Sequence, residues 1–409
     1  LDRALADMYY QLHSGKGSKD QVVIPSEENR QLLLAEYEAL SAQVDRLDTP
    51  APYFTVMKHQ LKDFCDALRY ELADYFNDPV RGLSAFFRQY RRLAEKGEAE
   101  WQNTQAIYGR LEEALQAVPI TNAPALCRRL VSCADEIRHE TYMTEEASSF
   151  MEGAAAKMQG FAEELQRHLP SEESIEVDDA VATAKMEEAE YRTLLSDLRG
   201  VELDELLLWE KTEMEKTRSE CFQLANRLAK EKGEPAVTHM GQVNDLLNKY
   251  AGPCGSAEEM FARAADYMKR TRALAHQYVK LPKDEQCLIK EVPYSLRYSF
   301  PWGGYSDGDD EVRPFTGTMF LNQYNFKNVT DGWLKMNCLH EAYPGHHCQF
   351  VRNAGDPAPE TVKIGAKYIP VLEGMAHRTE KAFAFIYEED PFFELFAAYR
   401  RHHTAVRIH

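Results

Sequence analysis

His340-Glu341-Ala342-Tyr343-Pro344-Gly345-His346-His347 reads as a helix broken in its middle. Helical patterning enters this stretch from about Asp331 and resumes after the histidines. Pro344, however, cannot donate the hydrogen bond that would close on the His340 carbonyl, and its ring clashes with that carbonyl. The helix must therefore kink or bulge at this point, and Gly345 tolerates the unusual backbone that a bulge requires.

The break decides whether the histidines can act together. A hydrolytic zinc site needs neutral imidazole and carboxylate ligands, an open position for water, and a carboxylate beside the metal to take a proton. The familiar arrangement is HExxH on one helix, where residues four apart share a face. Here the fifth position is Pro344, and the next histidines are His346 and His347. On an unbroken helix six residues advance about 9 Å and turn about 120° off the starting face, so His340 and His346 could not share an ion. A two-residue excursion at Pro344 restores His346 to the place of the second ligand. The motif is then HExxH with an insertion, with Glu341 as the base. His347 is expected beside a ligand or toward a substrate cleft.

A third ligand should come from a neighbouring helix, and Val371-Leu372-Glu373-Gly374-Met375-Ala376 offers Glu373, which gives a site of two histidines and one glutamate. His377 and Glu380 lie one and two turns further on, where either could hold a hydrogen bond to a ligand.

Upstream, Pro282, Pro293, Pro301, Gly303, Gly304, Gly308 and Pro314 punctuate a stretch too broken for a long helix. Gly317-Thr318-Met319-Phe320-Leu321-Asn322 is a short β-type run, expected as an edge strand beside the metal that holds an extended substrate. Before residue 281 the chain reads as long amphipathic helices at about 28–47, 56–76, 104–117, 142–168 and 204–231. Another is opened by the capping box Ser256-Ala257-Glu258-Glu259, with Met260, Phe261, Ala264, Tyr267, Met268, Ala275 and Tyr278 on one face. Breaks are expected at Asp48-Thr49-Pro50, Pro170-Ser171, Lys232-Gly233-Glu234-Pro235 and Gly252-Pro253. A second helix is expected near 366–388 and a third from Phe392. The fold class is mainly α with a small β element next to the metal site. The expected organisation is an N-terminal helical region, 1–280, and a metal-binding region, 281–409.

Bulk properties fit a soluble globular chain: 409 residues, 44% apolar and 28% charged. No apolar run approaches the roughly 18 residues of a membrane span. A net charge of -18 would repel a phosphate backbone, which argues against a nucleic-acid partner. The eight cysteines contain no CxxC pair, so neither a disulfide frame nor a cysteine-only zinc site is expected, and the free thiols favour a reducing, cytoplasmic setting. The sequence starts at Leu1 without a methionine and stops at His409 inside a helical pattern, so a longer parent chain is expected.

Other groups have plainer readings. Cys338 and Cys348 are buried thiols rather than ligands, Ser306 to Glu311 is a solvated acidic loop rather than a calcium site, and His402 and His403 are helix-end or packing residues rather than ligands. Tyr305 and Tyr343 could face a developing oxyanion, but among 21 tyrosines most are structural.

HEAYPGHH (340–347), the later Glu373-Gly374-Met375-Ala376 with a further Glu380, and the Gly317–Asn322 run together resemble the domain of unknown function 885 family, within the broader group of gluzincin-like metallopeptidases. The resemblance covers the last third of the chain. It implies a mainly helical peptidase fold with a small strand element, His340, His346 and Glu373 as zinc ligands, and Glu341 as general base. That family usually has Trp after Glu-Gly and Tyr three residues further on, where this chain has Met375 and Arg378, so a different pocket wall is implied. The family pattern also runs past the position of His409, which implies further active-site lining beyond it. The expected function is zinc-dependent hydrolysis of peptide bonds. The alternatives are a zinc amidase or esterase acting on a non-peptide substrate, or a catalytically silent helical protein that keeps its metal for structure.

Overall fold

Gly233, at φ 70 and ψ 24, ends the long helix α1 (Leu203–Lys232), and its amide bonds back to the Ala229 and Lys230 carbonyls. The Lys-Gly-Glu-Pro signal is thus a glycine-terminated helix end. Two helices follow, α2 (Met240–Ala251) and α3 (Ala257–Tyr278). The expected cap of α3 forms: Ser256 Oγ accepts from the Glu259 amide at 3.2 Å, while the Glu259 carboxylate accepts from the Gly255 amide at 2.8 Å. Its buried face carries Met260, Ala264, Met268, Thr271 and Ala275. Tyr278, expected on that face, is instead exposed.

The computed structural model describes residues 1–13, 22–48, 52–120, 123–168, 187–293, 297, 300–308, 310 and 312–408. Within these the chain is mainly helical, with one small sheet. It divides into one unit of Leu1–Gly200 with Pro359–Val362 and a second of Val201–Ala358 with Lys363–His409. The change of texture at 281 therefore marks where strands begin, and the division itself comes earlier, after residue 200 rather than 280. The reason is packing. Ala225, Leu228 and Val243 share a core with Leu339, Phe393 and Phe396, and Met260 and Ala264 share another with Met319, Leu334 and Ala342.

Among its described residues the first unit has helices and no strand, with a core that includes Leu126, Leu130, Met151 and Met158. The 104–117 pattern is two helices, Trp101–Gly109 and Leu111–Ala117. The breaks at Thr49-Pro50 and Pro170-Ser171 lie outside the described residues. Among the described residues no helix is long and apolar enough to cross a membrane.

In the second unit the three strands are β1 (Glu285–Glu291), β2 (Gly303–Ser306) and β3 (Phe315–Leu321), in the order β1-β3-β2. β3 pairs parallel with β1 and antiparallel with β2. Gly317, Thr318, Met319 and Phe320 therefore sit on the central strand, which corrects the edge-strand expectation: β3 pairs with β1 along its whole length and with β2 from Thr318 to Leu321, so over those four residues both sides of its backbone are taken. The edge that reaches the cavity lined by His340, His346 and Glu373 is β2. Asn322, fully buried after β3, donates to the Arg297 and Phe300 carbonyls at 2.7 and 2.9 Å and accepts from the Tyr324 and Asn325 amides. It ties the irregular approach to β2 onto the end of the central strand.

Helix α4 (Asp331–Asn337), capped by Thr330, runs on as a π-helical segment, Cys338–Ala342, and after a break the chain resumes as α5 (His346–Ala354). The pattern near 366–388 is not one helix: one ends at Ala366, α6 (Ile369–Ala382) follows, and a short 3-10 turn closes it. The last helix is α7 (Pro391–Ile408).

Candidate metal centre

The Pro-Gly break works differently from a bulge inside a helix. The helix widens first, with the Tyr343 amide bonding to the Cys338 carbonyl at 3.0 Å, and then stops. Gly345 is required by closeness rather than by its dihedral angles, since a Cβ there would lie 1.8 Å from the His340 carbonyl oxygen. This tight return puts His340, from the π-helical segment, against His346, the first residue of α5. Their ring centroids are 4.8 Å apart at 89°.

Glu373 reaches both from α6, with one carboxylate oxygen 3.3 Å from His340 Nε2 and the other 3.6 Å from His346 Nε2. Two ligand atoms, each about 2.0–2.1 Å from one tetrahedral zinc, stand about 3.3 Å apart. The three donors thus have the mutual spacing of ligands around one ion, and they form a group whose atoms all lie within 4.8 Å of one another. His340, His377 and Glu380 make a second such group. There the Glu380 oxygen is 2.7 Å from His340 Nδ1 and 3.2 Å from His377 Nδ1, which is hydrogen bonding with no room for an ion. Glu380 therefore accepts from His340 Nδ1–H, which turns Nε2 toward Glu373. His346 has no such support: its Nδ1 is buried without a hydrogen-bond partner among the described residues.

Charge in this cluster is strongly coupled. Burial alone would lower the His340 pKa, but its bonds to Glu373 and Glu380 raise it to about 10. The bonds from His340 and His346 hold Glu373 well below the usual carboxylate range. Burial raises Glu380, yet His340, His377 and Arg400 bring it down to about 2. Glu341 goes the other way: burial, opposed by His340 and His346 but reinforced by Glu373 and Glu380, pushes its carboxyl up. Its Oε2 is 4.0 Å from His346 Nε2, close to the cluster but outside the ligand spacing. A carboxyl made more basic beside three candidate ligands is suited to proton transfer.

His347 is not in this group and does not face a cleft. It is fully buried, with Nε2 2.7 Å from the Glu285 carboxylate and Nδ1 3.0 Å from the Tyr305 hydroxyl. A carboxylate only accepts, so Nε2 carries the proton and Nδ1 accepts from Tyr305. Glu285 also accepts from Tyr343 at 2.7 Å and from Arg272 at 2.7 Å. Tyr343 is thus structural, and the proton of the Tyr305 hydroxyl is committed to His347. Gly317 is small for the same reason, because a Cβ there would lie 2.1 Å from the Tyr305 hydroxyl oxygen.

A cavity of about 560 Å³ opens onto the cluster, lined by His340, Glu341, His346, Glu373 and the β2 residues Gly303 to Tyr305. Arg400, His403 and Arg407 line it as well. The sequence reading passed over Arg400 and Arg407 and gave His403 no place at a cavity, although their i, i+3, i+7 spacing on one helix was available as a signal. His402 faces Thr217 at 3.1 Å and packs as expected, and His403, near the end of the same helix, has a buried Nδ1 and also borders the cavity. Cys338 and Cys348 are buried thiols. In the acidic loop Lys367 pairs with Asp307 and Asp310, while Asp309 and Glu311 lie outside the described residues.

Two solved structures are similar in fold. A candidate lipoprotein from Colwellia psychrerythraea has a TM-score of 0.72 at 17% identity, covering 100% of this chain and 81% of its own. A candidate lipoprotein of unknown function from Shewanella oneidensis has a TM-score of 0.67 at 13% identity, covering 97% and 79% respectively. No curated protein matches the chain. The family match is wider than the last third of the sequence: residues 46–407 fit the bacterial proteins of unknown function DUF885, and the chain belongs to that family.

Proposed function

We propose that this protein is a zinc-dependent peptidase of the gluzincin kind, with His340, His346 and Glu373 holding the metal and Glu341 as general base. The observation that carries the reading is the spacing of 3.3 and 3.6 Å between the two imidazoles and Glu373, with an elevated carboxyl beside them on a cavity. Zinc, when bound, supplies a Lewis acid that polarises a scissile carbonyl and acidifies water. Glu341 takes the proton of the attacking water on its carboxylate and returns it to the nitrogen of the leaving amine. Glu380 holds the His340 ring in the tautomer that leaves Nε2 free. β2, which among the described residues pairs only with β3, presents a free backbone edge on the cavity where an extended peptide can add as a strand.

The test joins metal analysis to digestion of a peptide library. Wild type should bind about one zinc per chain and cut peptides. Glu341→Gln should keep the metal and lose about 10²–10⁴-fold or more in rate. A protein without zinc affinity, or a Glu341→Gln variant with near-normal turnover, overturns the proposal.

A further inference from the structure

The cavity wall supplied by α7 is cationic although the chain as a whole carries a charge of -18. The Arg400 side chain is 11% exposed and lies over the Trp333 ring at 5.0 Å. Its Nη1 donates to Thr404 at 3.0 Å, and its Nη2 is 3.6 Å from Glu380. Glu380 is already shared by His340 and His377, and Arg400 Nε is buried with no hydrogen-bond partner. His403 Nδ1 is likewise buried and unpartnered, and burial together with Arg400 and Arg407 lowers the pKa of this ring. Among the described residues no acidic side chain forms an ion pair with Arg407.

These three residues share one face of α7 and border the same cavity as the metal cluster. Donors left over on guanidinium and imidazole groups, next to a hydrolytic centre, match a carboxylate, which accepts on two oxygens and pairs with guanidinium in fork geometry. A cavity of about 560 Å³ is the size that encloses a small ligand, so it admits only a few peptide residues.

We propose that Arg400, His403 and Arg407 bind the free α-carboxylate of a short peptide, so that this protein acts close to a C-terminus and releases small C-terminal fragments. The inference rests on the peptidase reading for its chemistry: water adds across one amide bond, hydroxyl to the acyl carbon and proton to the departing amine, and the fragment leaves with its original carboxylate. Recognition of the carboxylate can be measured without hydrolysis.

The experiment is titration calorimetry of the zinc-loaded protein with N-acetylated dipeptides that differ only at the C-terminus, one a free acid and one an amide. A third ligand carries a glutamate side chain and an amide end. The free acid should bind at least about tenfold more tightly than either amide, and this advantage should shrink to a few-fold in Arg407→Gln and in His403→Gln. Equal binding of acid and amide, no binding of any of the three, or an acid preference unchanged in both variants overturns the proposal, the last because the metal alone would then read the carboxylate. Binding of the glutamate amide as tight as that of the free acid overturns it too, in favour of an acidic side chain. If wild type cuts no peptide while the acid preference and its loss in the variants hold, the peptidase reading fails and the carboxylate pocket stands.

Discussion

His346 and His347 are adjacent in sequence and serve different neighbours, because the first turn of α5 sends successive side chains about 100° apart. One faces Glu373 and the other Glu285. His346→Ala should abolish tight zinc binding. His347→Ala should keep the metal and lose about 1–3 kcal/mol of stability, since it removes a buried hydrogen-bond partner from both Glu285 and Tyr305. Zinc competition titration and urea unfolding of the two variants decide this, and the opposite pattern would assign the second imidazole to His347. Glu380→Ala should weaken zinc about 10–100-fold without removing a ligand, because it frees the His340 ring. Unchanged affinity in that variant would place Glu380 outside the metal's support.

Among the elements, the π-helical segment and the break after it convert a six-residue separation into a shared site. The return is close enough that only glycine fits at 345, so Gly345→Ala must push the His340 carbonyl and with it the His340 ring. We expect a loss of about 1–3 kcal/mol in stability together with weaker zinc binding. Calorimetric melting with and without zinc measures both, and a variant that matches wild type in the two readings would show that the break has slack. The sheet is the second element that matters. A structure with a bound peptide-like inhibitor should show the ligand backbone along β2, and a ligand lying elsewhere would remove that edge from the substrate site.

Across the whole second unit, Glu285 links β1 to α3 through Arg272 and to α5 through His347, with its side chain 1% exposed. Burial would raise its carboxyl, yet the bonds from His347, Tyr343 and Arg272 hold it at about 2, against an ordinary 4.5. A depressed folded-state pKa means this contribution is fully present above about 4.5 and is lost as pH falls toward 2. Glu285→Gln should therefore lower stability at neutral pH and flatten its decline between those limits. Unfolding midpoints at a series of pH values measure this, and parallel wild-type and variant curves would rule it out.

The sequence by itself determined the helical class, the helix ends at Ser256 and Gly233, and the break at Pro344. These depend on caps, missing amide protons and period, which act over a few residues. It also pointed to His340, His346 and Glu373, because donor type and spacing survive in the linear order. Only the tertiary structure decided that β3 is central, since strand neighbours are chosen by pairing between distant segments. The division after residue 200 rather than 280 was equally out of reach, because it depends on which apolar faces meet. The same holds for His347, whose partners Glu285 and Tyr305 lie 62 and 42 positions away. Arg400, His403 and Arg407 carry no motif of their own, and they acquire a chemical role only because packing brings the last helix to the wall of the cavity that the histidines also line.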